Sequence, residues 1–254
     1  MLVAAAVCPC PPLLVPEVAA GAAPELDAAR AACADALGVL SAARPDRLVV
    51  VGPAEDGGHG PYPEGTPGTF RGFGVDVAVR LGRGKPDNTA MDPAAVDRSV
   101  TDAPSAPGRA LPSSLAVAAW LLEHTGWTDA PVEGLGVEPL DAARCIRLGR
   151  EIAEPDERVA LLVMGDASAC RSLKAPGYLD ERAAGFDAEA ARALGSADIR
   201  TLKSLDIALA QELKASGRAP WQVLAGAGED TDLRGSLLYD EAPYGVGYLV
   251  ATWS

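Results

Sequence analysis

Leu2-Val3-Ala4-Ala5-Ala6-Val7 runs directly into Cys8-Pro9-Cys10-Pro11-Pro12. A short apolar run halted by proline reads as a buried strand that ends in a loop. In open α/β sheets the loops outside the carboxyl ends of strands are where ligands bind. Cys8 and Cys10 each precede a proline, which pushes both toward extended backbone. Residues i and i+2 of an extended stretch share a face and lie roughly 7 Å apart. That span exceeds the ~4.4–6.8 Å between bridged Cα atoms, so the pair is not expected to form a disulfide. A metal ion or a ligand could sit between the sulfurs. The alternative is that both are buried and act as small hydrophobes.

Two further runs repeat the pattern. Arg47–Gly52 (RLVVVG) and Arg158–Gly165 (RVALLVMG) read as buried strands, and each also ends in an unusual loop. An Ala-rich helix is expected at Glu25–Ala43, before the first of them and with Pro24 in its first turn, and between them a helix from Ser113, read as its cap, to about His124. Val132–Val137 reads as a strand and Asp141–Ile152 as a helix. Thr69–Leu81 alternates like a strand at its end. The stretch 53–68 is rich in Gly and Pro and reads as one long loop, and 82–109 as a polar surface segment. Helices are expected at about Asp187–Leu194 and Thr201–Ser216. Gln222–Gly226, Ser236–Asp240 and Val246–Trp253 read as closing strands. Strands alternating with helices predict a single α/β domain over residues 1–254, with a mostly parallel or mixed central sheet covered by helices on both faces.

Composition narrows the function. The chain has 254 residues, 48% of them hydrophobic, with a mean hydropathy of +0.10. No apolar run reaches the ~18 residues of a membrane span. Met1–Cys8 is apolar but lacks a basic flank, a poor secretion signal, so a cytoplasmic location is expected. Five cysteines, an odd number, suit reduced thiols. Net charge is −13 with a pI of about 4.6, which disfavours nucleic acid and anionic membranes as partners.

If the three buried strands are parallel neighbours, their loops converge. The common rim would hold Cys8, Cys10, Glu55, Asp56, His59, Asp166, Ser168 and Cys170, residue types that bind metals or move protons. Asp166 and Ser168 serve equally well as helix caps. His59 sits in a Gly-rich loop. His124 lies near a helix C-terminus, where the helix dipole favours a cation. Asp240 and Glu241 end a strand and are either ligands or a solvated turn. Ala225–Gly228 lacks a nucleotide-binding pattern, and neither G-x-S-x-G nor H-E-x-x-H occurs.

Four patches taken in order, VCPCPPLLVPEV, LPSSLAVAAWLL, LLVMGDASACRS and YDEAPYGVGYLVATW, resemble the class III extradiol ring-cleavage dioxygenase superfamily (LigB-like catalytic subunits, with Memo-type proteins as relatives). The likeness is nearest to short, actinobacterial-type members. It implies a single α/β domain, often dimeric, and an oxidoreductase of small aromatic molecules. It also implies non-haem Fe(II) on two His and one Glu, with a further His for proton transfer. Position by position the pattern departs: Cys10 stands where the first ligand His is expected, about Glu55 where the second is, and Ala169 follows Gly165-Asp166-Ala167-Ser168 where the acid–base His is expected. The chain has two histidines in all. The resemblance therefore implies a degenerate site. Its metal ligands would come from Cys10, Glu241, Glu55 and His59, with Asp166, Ser168 and His124 as catalytic candidates. A thiolate favours Zn²⁺ or Cu⁺ over Fe²⁺. The alternative is a member of the same fold that binds a small molecule or a protein without metal and without catalysis.

Overall fold

The computed structural model describes residues 1–54, 57–84, 109–139, 141–154 and 156–254. In chain order the elements are β1 (Leu2–Cys8), α1 (Pro16–Ala19), α2 (Asp27–Ala42), β2 (Arg47–Pro53), β3 (Gly60–Tyr62), β4 (Pro67–Thr69), β5 (Ala78–Arg80), α3 (Ser113–Thr125), β6 (Val132–Val137), α4 (Ala142–Ala153), β7 (Val159–Met164), α5 (Ala183–Gly195), α6 (Ile199–Lys203), α7 (Ile207–Glu212), α8 (Arg218–Ala227), β8 (Gly235–Glu241) and β9 (Tyr248–Trp253).

Seven strands form one mixed sheet in the order β3-β6-β2-β7-β1-β9-β8, and β4 and β5 form a separate two-stranded sheet. The inner neighbours β6, β2, β7 and β1 are parallel, while β3, β9 and β8 join antiparallel. The parallel strands are apolar almost throughout because helices cover both of their faces. Alternation splits each between two cores. Ala160, Leu162 and Met164 of β7 face α2 and α3, whereas Val159, Leu161 and Val163 face the α5 and α8 side. Register aligns Cys8 with Met164, Val51 with Val163, and Pro53 with Val137. The ends of β1, β2, β6 and β7 therefore reach one edge, the expected rim.

Several expected elements differ. Gln222–Gly226 is not a strand but the middle of α8, buried on every side between α4 and the sheet. A short, largely apolar run cannot reveal its period, which is why the pattern misleads there. Gly149 of α4 and Gly226 of α8 let the two helices meet at backbone distance: a Cβ on Gly226 would overlap the Ile146 carbonyl, and one on Gly149 the Val223 carbonyl. The helix expected at Thr201–Ser216 is two short ones, each started by its own aspartate. Asp198 accepts from the Thr201 N–H and Asp206 from the Leu209 N–H. The segment 53–68 is not all loop, since β3 and the start of the β4–β5 hairpin lie in it. Thr69–Leu81 is likewise not one strand: Thr69 ends β4, and the chain turns at 70–77 before β5. Pro112, not Ser113, occupies the cap position of α3, and the Ser114 hydroxyl instead donates to the Pro53 carbonyl at 2.6 Å. Most of the segment 82–109 read as polar surface lies outside the described residues. Among the described residues no helix is long and apolar enough to cross a membrane.

Candidate functional site

At the rim, the chain leaving β1 meets the chain leaving β7. The Cys10 N–H donates to Asp166 Oδ1 at 2.8 Å. Asp166 is fixed on its backbone side too, its N–H donating to Ser216 Oγ at 3.1 Å and its carbonyl accepting from the Gly217 N–H at 2.8 Å. Burial pushes its carboxyl up to about 7, against the Cys10 N–H, which favours the ionised form. Burial also raises the Cys10 thiol well above the usual range, and the neighbouring Asp166 charge adds to this. Tyr248, buried at the start of β9, completes the group. Burial, then the charges of Asp166 and Cys10, hold its phenol protonated. The result is a partly open carboxyl that exchanges its proton near neutrality, flanked by a thiol, a hydroxyl and a phenol. Tyr248 and Ser216 were not anticipated. Tyr248 lies in the quoted YGVGYLV run, and only the β8–β9 pairing shows which face it takes.

The remaining candidates disperse. His59 is exposed and its Nδ1 faces Glu138 Oε1 at 2.5 Å, beyond the end of β6. Three strand spacings, about 14 Å, separate the end of β6 from the end of β1, so His59 does not join Cys10. His124 is at the opposite edge: α3 begins at the rim and carries it about 16 Å away. There its Nδ1 meets the Trp120 carbonyl at 2.8 Å and its ring stacks on Trp120 at 3.9 Å. The catalytic expectation for His124 is therefore replaced by a role at the end of α3. Ser168 is fully buried and structural, its N–H and Oγ each donating to Asp187 at 2.8 Å, with Arg171 closing the group at 3.0 Å. Cys8 turns into the core and its thiol meets that of Cys33, and Cys170 points at the Leu213 carbonyl. A ligand between Cys8 and Cys10 is thus not supported. Glu241 is exposed but stands in register with Tyr248, next to the group. Glu55 and Asp56 lie outside the described residues.

Fe(II) on two His and one carboxylate requires two imidazoles on one ion. His59 and His124 sit at different edges of the sheet, and among the described residues no three His, Cys, Asp or Glu side chains are placed to hold a metal. The described residues do not fit that centre.

Beside Ser216, over the ends of β2 and β6, lies a cavity of about 230 Å³. Its walls include Ala54, Val137, Ala215, Arg218 and Ala219. Burial lowers the Arg218 pKa, while the Cys145 thiol and Asp141 nearby raise it.

No family model matches the chain, and no curated protein matches it. Among solved structures it is similar to an uncharacterized protein, JW3007, from Escherichia coli K12. The TM-score is 0.57 and the identity 16%, over 99% of this chain and 100% of the other. At that identity the likeness establishes the α/β fold alone.

Proposed function

We propose that this chain is a LigB-like protein that binds a small aromatic molecule at the Asp166 rim and works without the metal-dependent ring cleavage of that superfamily. The observation that carries the reading is the placement of the two histidines, one on Glu138 and one on Trp120, away from the Cys10–Asp166 pair. Two further features support it. The rim holds a carboxyl near its midpoint at neutral pH beside a protonated phenol, a pair able to accept from and donate to a ligand hydroxyl. The adjoining cavity is mostly apolar with a few polar groups, the usual composition of a small-molecule site, and at about 230 Å³ suits a single ring.

The test is elemental analysis of protein purified anaerobically without chelator, followed by titration with catechol under argon. The reading expects substoichiometric Fe, Zn and Cu, saturable catechol binding, and no ring-opened product on admitting oxygen. Near-stoichiometric metal that disappears in Cys10→Ala would overturn it and favour a metal-binding oxidoreductase centred on Cys10 and Glu241.

A further inference from the structure

We infer that the hydrogen bond between Tyr244 and Glu25 is a latch that holds the rim group closed, and that a ligand reaches Tyr248 and Asp166 when it opens. The inference deepens the reading above and rests on it for the ligand. Burial creates the need for movement. Tyr248 is only 1% exposed, so its phenol cannot meet a ligand hydroxyl in the arrangement described.

Chain connection shows what covers it. Cys10 opens the stretch that runs from β1 to α2, and Tyr248 follows the turn that joins β8 to β9. Backbone bonds seat the far side of that turn on the loop after β7. The Ala167 N–H donates to the Gly247 carbonyl at 2.8 Å, the Gly247 N–H to the Ser168 carbonyl at 2.8 Å, and the Arg171 N–H to the Gly245 carbonyl at 3.0 Å. The stretch after β1 is pinned by buried Leu14 and Val15 at one end and by buried Leu26 at the other. Between these pins Ala20, Gly21, Pro24 and Glu25 are exposed, so little buried surface resists their movement. The Tyr244 hydroxyl joins the two stretches by donating to Glu25 Oε2 at 2.8 Å.

Backbone strain flanks this bond on both sides. Ala20 has φ 49° and ψ −121°, outside the regions alanine ordinarily takes. Tyr244 has φ 57° and ψ 17°, the left-handed conformation that favours glycine. Strain of this kind persists only where the surroundings hold it, and it gathers at clamps and switch segments. Tyr244 also lies close to what it covers, since its charge bears on the Tyr248 phenol. Breaking the bond frees both strained residues and lets the 20–25 segment lift from the rim, as gating loops do.

The experiment compares the full-length chain with Tyr244→Phe and Glu25→Ala, two changes at exposed positions. Hydrogen exchange is followed by NMR at the Cys10 amide, with the Leu161 and Val163 amides of β7 as the reference for the core. Catechol association and dissociation are followed by stopped flow. Both variants are expected to exchange the Cys10 amide about three- to tenfold faster, the range set by loss of one net hydrogen bond, with β7 unchanged. Catechol is expected to enter and leave faster by a similar factor. An unchanged Cys10 amide in either variant overturns the inference, and so does equal acceleration in β7, which would mean general loosening. Catechol binding at unchanged rates also overturns it and leaves the proposed function standing. Faster Cys10 exchange with no catechol binding in any of the three proteins supports the latch and overturns the proposed function.

Discussion

The Cys10 backbone N–H donates to Asp166 Oδ1 at 2.8 Å, tying the loop after β1 to the loop after β7. That bond places a carboxyl with a midpoint of about 7 at the rim of the parallel strands. It accounts for the extended, proline-flanked backbone at Cys10: the residue contributes its amide to the site, while its thiol stays protonated in the interior.

Stability should depend on Asp166 ionisation. The unfolded carboxyl titrates near 3.8 and the folded one at about 7, so between those values the folded chain keeps a proton that the unfolded chain has released. Stability from this group is greatest below pH 4, falls as pH rises to about 7, and is level above; the full swing is at most about 4 kcal/mol. Asp166→Asn should flatten this slope and raise the urea midpoint at pH 8 relative to wild type. Equal slopes for the two proteins between pH 5 and pH 8 would refute the assignment.

Ser168→Ala should destabilise the fold without touching ligand binding. It removes one of the donors on a buried carboxylate, Asp187, at a cost of about 1–3 kcal/mol. At ~2–4 °C per kcal/mol for a chain of this size, thermal melting reads the loss directly. Loss of catechol binding with unchanged melting would return Ser168 to the site.

All five cysteines are buried; burial raises the thiols of Cys10, Cys145 and Cys170, and the hydrogen bond with Cys33, then burial, raises that of Cys8. Native protein should react slowly with Ellman's reagent at pH 7.5 and release five equivalents only in denaturant. One thiol reacting at the rate of a free peptide would identify an exposed nucleophile that the fold described here lacks.

Gly226→Ala should cost about 1–3 kcal/mol, since the added methyl would overlap the Ile146 carbonyl across the α4–α8 crossing. The melting temperature checks this; an unchanged value would mean that the helices separate without penalty.

The strands were legible because burial on both faces leaves continuous apolar runs at Leu2–Val7, Arg47–Gly52 and Arg158–Gly165, each bounded by proline, glycine or charge. The same property hid α8, where Trp221–Ala227 is buried on all sides and, Gln222 apart, carries no polar residue to mark a period. At the candidate site, the proline-flanked cysteine and the aspartate after β7 pointed to the edge where the two loops meet. The histidines misled because residue type does not report distance along the sheet: His59 stays beyond the end of β6, three strands from β1, and α3 carries His124 to the other edge. Tyr248 and Arg218 depend on pairing and helix packing between segments remote in sequence, which no local pattern records.

The most direct test of a metal-independent aromatic site is calorimetric titration of chelator-treated protein with catechol, with and without added Fe(II). One-to-one binding that is equal in the two titrations and lost in Tyr248→Phe or Asp166→Ala agrees with the site described. Binding that appears only when Fe(II) is present would contradict it.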